Sequence, residues 1–442
     1  MRRTVKKWAV FALVGYGLFA LAIYYYLYDM APGEIPEIYK GTSADPAVFL
    51  TAAEQTLGKE YSTIKNFLFF LGVPFEWLVY FFILVFGVSK KFEEWSKQTV
   101  RFSVGQTAIY LFYLSLLTFL LAFPLQYISY HFSRVYRISA QTFPQWMKNE
   151  LIDFWVSYVL MFVLVFVLYA LIKRFKKKWW LAAWALFVPF TVFMMYVQPV
   201  LIDPLYNDFY PLKNKQLETK ILNLADKANI PADHVYEVNK SKETNALNAY
   251  VTGIGGNARI VLWDTTLKKL NEEEVLFVMA HEMAHYVKKH IYIGIGSYLA
   301  FAFFGFWLAA KWMERWVRKY GKQLHIKELS QLRTLPLFLL VISMMAFASS
   351  PFSNAISRFE EKQADAYAIE MTRDKEAAIS AFQKLAREGL SEVKPPALVK
   401  IFRYGHPAMA ERIYMMETYP LEVKEGKRKE ERSGASAQKS RD

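Results

Sequence analysis

The chain has 442 residues, 54% of them hydrophobic and 17% aromatic, with no cysteine and a formal net charge of +14. That apolar content exceeds what a soluble core needs and predicts a mainly α-helical, polytopic membrane protein, while the missing cysteines exclude disulfides, thiolate metal sites and cysteine nucleophiles. The positive charge does not indicate nucleic acid, because the basic residues lie mostly in short loops beside apolar runs, the pattern of membrane topology signals.

Residues 8–28 form a first apolar run behind a basic start. It is too long for the apolar region of a signal peptide and lacks a small-residue cleavage site, so it reads as an uncleaved span. Residues 29–65 are polar, with Pro32, Gly33 and Pro36 marking a loop. Further spans are expected at 67–88, 107–131, 154–172 and 179–200. The second contains Glu76, which reads equally as an interfacial residue or as a group facing a wet cavity. From Asp203 to His290 charged residues recur every few positions, so this segment is aqueous. A helix is expected over 213–228, carried by Leu217, Ile221, Leu224 and Ala225. Strands are expected at 235–238, 249–252 and 260–263, the last two joined as a hairpin through 253–257. Spans six and seven fall at 291–310 and 335–352, the sixth directly continuing the helix before it. Residues 353–420 read as aqueous and mainly helical, and 422–442 as a charged, disordered tail.

The stretch 273–290 reads EEVLFVMAHEMAHYVKKH and holds His281, Glu282 and His285 in the order His-Glu-x-x-His. On a helix this spacing puts two imidazoles on one face with a carboxylate beside them, suited to a metal and a water. Asn271 with Glu274 is a capping pair, the glutamates at 272–274 suit the positive end of the helix dipole, and Lys288, Lys289 and His290 suit the other. The bland alternative is a polar face with two solvated histidines. Against it, residues 275–280 are too apolar for a helix wholly in water, and buried histidines need partners.

Two histidines and a water leave tetrahedral zinc one protein ligand short. The metzincin pattern would require glycine at 288 and histidine at 291, where this chain has Lys288 and Ile291, so that class is excluded. His290 reads as a surface residue near a helix end. Glu361 and Asp365 lie one turn apart, so Glu361 suits a metal and Asp365 the free N–H of a ligand histidine; the alternative is a solvated acidic cluster with Glu360. His406 precedes Pro407 at a helix entrance, posed either to donate to a developing oxyanion or as an ordinary capping histidine.

Taken together these residues resemble the type I CAAX prenyl protease family, gluzincin-type membrane metalloendopeptidases. The likeness rests on His281-Glu-Met-Ala-His285, Pro204-Leu-Tyr-Asn-Asp-Phe-Tyr-Pro-Leu212, Asn248-Ala-Tyr250 with Arg259-Ile-Val-Leu-Trp-Asp-Thr265, Ser357-Arg-x-x-Glu361-x-x-Ala-Asp365, and His406-Pro with Glu411-Arg412-Ile413. It implies one zinc ion bound by His281, His285 and Glu361, with Asp365 behind them and Glu282 as general base. It further implies an edge strand at Asn248, Ala249 and Tyr250 that pairs with extended substrate, His406 and Arg412 assisting at the reacting carbonyl, and a large chamber enclosed by seven spans.

The expected organisation is a five-span membrane region at 1–200, a gluzincin-like α+β peptidase domain in two parts at 201–290 and 353–420 around a two-span hairpin at 291–352, and the tail at 421–442. The expected partners are the bilayer and peptide or protein substrates, lipid-modified or membrane-associated, with a bacterial plasma membrane as the location. A broad-specificity quality-control protease is the alternative within the enzyme class. A scaffold or transporter with structural zinc is disfavoured, because such sites are usually closed by four protein ligands. Lys and Arg number about twenty in the N-terminus and the connections after spans two, four and six, against about six after spans one and three. By positive-inside logic the catalytic segments face away from the cytoplasm, whereas the family's eukaryotic members are thought to work on the cytosolic face.

Overall fold

The computed structural model describes residues 2–31, 35–252 and 259–421. Among the described residues seven helices are long and apolar enough to cross a membrane. The chain starts with α1 (Arg2–Tyr25), a single turn α2 (Pro46–Phe49) and α3 (Ala52–Val85), whose start is closed by a capping box between Thr51 and Glu54. After the amphipathic α4 (Val88–Thr99) come α5 (Ser103–Val135), α6 (Phe143–Phe175) and α7 (Trp179–Val197). Glu76, exposed on α3, accepts a hydrogen bond from Ser343 Oγ at 3.1 Å.

A four-stranded sheet follows, with order β1-β2-β4-β3 among the described residues. It comprises β1 (Phe209–Pro211), β2 (Val235–Val238), β3 (Ala249–Thr252) and β4 (Arg259–Trp263), with α8 (Lys215–Lys227) between the first two. β3 and β4 run antiparallel, as a hairpin requires, but the expected turn at 253–257 lies outside the described residues. The short β1, which the sequence pattern did not reveal, pairs antiparallel with β2 and contains Pro211. A strand that ends on proline suits the sheet edge it occupies. β3 forms the other edge.

The short α9 (Asp264–Lys269) leads into α10 (Glu272–Val287), then α11 (His290–Tyr320), α12 (Leu335–Thr372), α13 (Lys375–Glu388), α14 (Ala397–Phe402) and α15 (Met409–Thr418). Two sequence expectations change here. The sixth span does not simply continue the histidine helix, because Lys289 adopts a left-handed φ of 60° and breaks the chain between α10 and α11. Conversely, the seventh span and the first part of the aqueous segment after it, to Thr372, form one 38-residue helix, with Pro351 inside it. Proline there removes one hydrogen bond without ending the helix.

α10 is the hub of the aqueous part. Its Val275, Met279 and Met283 pack on one side into a core with Ile221, Val235, Ile260 and Leu262. On the other side Phe277 and Ala280 meet Ala368, Ile369, Phe382, Ile413 and Met416 from the last helices. A cavity of about 980 Å³ lies among α6, α7, α11 and α12, lined by apolar residues such as Leu168, Phe187, Phe301 and Phe338 and reaching Glu360 at its aqueous end.

The Asn271 cap forms as expected: its side chain accepts from the Glu274 N–H, and Glu274 accepts from the Asn271 N–H at 2.7 Å. Glu274 is buried yet also accepts from Lys384 at 2.8 Å and Ser380 at 2.6 Å, tying α10 to α13. Burial alone would raise this carboxyl, but Lys384, Ser380 and the Asn271 N–H outweigh it and hold it below the usual range. A depressed folded-state carboxyl stabilises above the ordinary carboxylate range and loses that contribution as pH falls through its own value. Glu274→Gln is therefore expected to cost about 1–3 kcal/mol near neutral pH, with the deficit in thermal midpoint of the detergent-solubilised protein shrinking as the medium is made strongly acidic.

Candidate metal centre

His281 and His285 project from one face of α10, and Glu361 meets them from α12. Their ligand atoms all lie within 4.8 Å of one another. His281 Nε2 is 3.2 Å from Glu361 Oε2, His285 Nε2 is 3.4 Å from Glu361 Oε1, and the two Nε2 atoms stand 3.3 Å apart. The approach is close because small residues line the contact: Ala280, Ala284, Ala364 and Ala368 are all fully buried.

Behind the cluster, His281 Nδ1 donates to Asp365 Oδ1 at 2.9 Å. That hydrogen bond fixes the tautomer and turns the Nε2 lone pair toward Glu361 and His285. Asp365, wholly buried, also takes both prongs of Arg412, at 2.6 Å from Nη2 and 2.9 Å from Nε. Arg412 is itself buried and lies over the Phe382 ring at 4.2 Å. Its Nη2 also stands 3.6 Å from Glu361 Oε2 and 3.5 Å from His281 Nδ1, so the guanidinium borders the ligand cluster as well as Asp365.

His406 is the accessible member, its side chain 63% exposed, with Nε2 3.5 Å from Glu361 Oε1. Glu282 follows His281 on the same turn. Burial lifts its carboxyl to about 7, which lets it take and return a proton near neutral pH. Asn248 is exposed at the head of the edge strand β3; its carbonyl accepts from Thr266 Oγ1 and from the Trp263 N–H, while Ala249 is buried and Tyr250 half-buried.

One expectation is overturned. His290 is not a surface residue: it is 4% exposed, and its Nδ1 lies 3.1 Å from Nδ1 of His285. Five residues apart on a continuous helix, the two rings would diverge; the left-handed turn at Lys289 brings His290 back over His285. The only sequence signal was a histidine so soon after the motif, which helical spacing argued away.

Known proteins match this chain over most of its length. A model described as peptidase family M48 matches residues 211–419, and one described as CAAX prenyl protease N-terminal, five membrane helices, matches residues 42–208. The chain belongs to peptidase family M48. Among its relatives, a Bacillus subtilis protein described as uncharacterized metalloprotease YhfN is 53% identical over 93% of this chain and 97% of its own. CAAX prenyl protease 1 of Saccharomyces cerevisiae is 28% identical over 71% of this chain and 73% of its own. The crystal structure of S. mikatae Ste24p shares the fold, with a TM-score of 0.76 at 21% identity, covering 92% of this chain and 97% of that one. As a member of the M48 family, the chain is an integral, multi-pass membrane metalloendopeptidase of the CAAX prenyl protease kind.

Truncating Arg412 would leave Asp365 buried without its ion partner. Arg412→Met is expected to destabilise the protein by about 3–5 kcal/mol in a chemical or thermal melt, and adding Asp365→Asn to recover part of that loss.

Proposed function

We propose that this membrane metalloendopeptidase is zinc-dependent, with His281, His285 and Glu361 as the ligands and Glu282 as general base. The observation that carries the reading is the convergence of these three ligand groups on one point beside Glu282. Their chemistry fits zinc. Two nitrogens and a carboxylate oxygen suit a borderline-soft cation, and three protein ligands leave the open position of a catalytic rather than a structural site. Glu361 Oε2 is buried and makes no hydrogen bond, and two imidazole lone pairs turned toward one another are an arrangement that a cation relieves. When bound, zinc supplies Lewis acidity, lowering the pKa of a water and polarising an oxygen.

The chain's own groups do the rest. Glu282 takes the proton of the attacking water and returns it to the leaving amine. His406, on the accessible side, donates to the oxyanion that develops at the scissile carbonyl. Asp365 keeps His281 in the tautomer that presents Nε2, and Arg412 holds Asp365 ionised in turn. The edge of β3, which no other described strand covers and which begins at Asn248, Ala249 and Tyr250, offers backbone groups to an extended peptide.

The substrates proposed are peptides or proteins delivered from the membrane, including lipid-modified ones, as the names of the CAAX prenyl protease relatives suggest. The apolar cavity that reaches Glu360 supports this, since it gives a hydrocarbon chain a place that ends one residue along α12 from Glu361. The likeness to the Bacillus protein supports a bacterial plasma membrane as the location.

Glu282→Gln is expected to keep its zinc, read by elemental analysis, while cleavage of a mixed peptide library followed by mass spectrometry falls by at least about a hundredfold. Glu361→Ala should lose the metal as well. A fully active Glu282→Gln protein would sink the mechanism.

A further inference from the structure

A second polar site joins α3, α5 and the segment that follows α14. Lys65 and Asn66 are neighbours on α3. Arg403, on the segment between α14 and His406, donates through Nη1 to Asn66 Oδ1 and lies 5.7 Å from the Phe69 ring centroid. Lys65 Nζ donates to Ser129 Oγ on α5 at 2.8 Å. Both cations are partly buried and near enough for the charge of Arg403 to act on Lys65. Among the described residues, neither has a carboxylate within ion-pair distance.

Two like charges drawn out of water side by side are unfavourable unless an opposite charge joins them. A third group points the same way. Asn66 is fully buried at 0% exposure, and its Nδ2 has no hydrogen-bond partner. Because Arg403 donates to Oδ1, the orientation of the amide is fixed, and the group left over is a donor. A buried unsatisfied donor costs about 1–3 kcal/mol. An ammonium, a guanidinium and an amide N–H left without an acceptor form a set that an anion completes.

Position selects the anion. Arg403 precedes His406 by three residues, a reach of at most about 10 Å along the chain. The segment is held rigidly, because Arg358, three residues before Glu361, donates to the carbonyls of Lys400 at 2.9 Å and Tyr404 at 2.7 Å. Whatever binds Arg403 is thus held a few residues' length from the metal ligands.

We propose that Lys65, Asn66 and Arg403 form a recognition site for a carboxylate of the peptide substrate, anchoring it a short, fixed distance from the bond to be cut. The proposal rests on the peptidase reading, and it makes the chain selective for peptides that carry an acid at that distance. A chain end and an acidic side chain both supply the carboxylate.

The test measures binding to the Glu282→Gln protein, which holds peptides without cutting them, alongside turnover by the parent. Three fluorescent peptides of one sequence free of acidic side chains are compared: the free acid, the carboxyl-terminal amide, and the amide with an aspartate near its end. The free acid is expected to bind at least about tenfold more tightly than the amide. That advantage should fall to within about twofold in Arg403→Gln and in Lys65→Gln, the second of which disturbs only the Ser129 contact and guards against a folding defect in the first. Recovery of tight binding by the aspartate peptide would identify the side-chain source of the same carboxylate. Equal binding of all three peptides, or a preference that survives both substitutions, overturns the site. Equal binding together with an anionic phospholipid that copurifies with the parent and is lost in Arg403→Gln overturns it in favour of a lipid headgroup. An acid preference in binding with no cleavage by the zinc-loaded parent would uphold the carboxylate site while overturning the peptidase reading, so the two fail separately.

Discussion

Asp365 is wholly buried, and a carboxylate taken from water loses several kcal/mol of solvation that only well-placed partners restore. Here the partners are Arg412, which grips it with two nitrogens, and His281, which donates its Nδ1 hydrogen. Each needs the others: Arg412 is buried because Asp365 neutralises it, and His281 presents Nε2 because Asp365 holds the other nitrogen. The three residues come from α15, α12 and α10, so this contact fixes how three helices distant in sequence are set against each other. The ligand geometry is a by-product of that fixation.

Packing brings the partners within reach. Larger residues at Ala280, Ala284, Ala364 or Ala368 would push α10 and α12 apart, and a cluster whose atoms stand 3.2–3.4 Å apart has little slack. The same economy appears at Lys289. A non-glycine residue in the left-handed region costs about 1 kcal/mol, and the turn it makes sends the next span off at a new angle while laying His290 against His285. Strain there serves topology and site at once.

Much of this was legible in the sequence. The spans follow from hydropathy, the α10 cap from Asn271 and Glu274, and the strands from short β-branched runs. The ligand pair follows from helical spacing. The pairing of Glu361 with α10 could be suggested by spacing but not distinguished by it from a solvated acidic cluster; the resemblance and then the geometry separate the two. What stayed hidden depends on backbone breaks and on contacts between remote segments. No residue type marks Lys289 as left-handed, so His290 was placed on the wrong face. For Arg412 the resemblance implies a role at the reacting carbonyl, and its paired contacts with Asp365 are ones that sequence cannot show. Arg403 lies more than three hundred residues from the adjacent Lys65 and Asn66, and the three fit no motif.

The length of α12 carries a mechanical consequence. It begins at the far side of the membrane region and extends unbroken to Glu361 and beyond, about 57 Å of continuous helix. Glu361 sits about 39 Å along it, so pivoting the helix by some 2° about its first turn would displace the carboxylate by more than 1 Å. Misplacements of that size cost about a hundredfold in rate when they fall on reacting groups. The third corner of the candidate metal cluster is thus the tip of a lever whose pivot, at Leu335 and Leu337, is packed in the core of the membrane-spanning bundle. Helix tilt is set by packing against neighbouring helices, so the way the spans are seated against one another becomes a physical input to the chemistry. Arg358, strapped to the carbonyls of Lys400 and Tyr404, is the strut that steadies the tip.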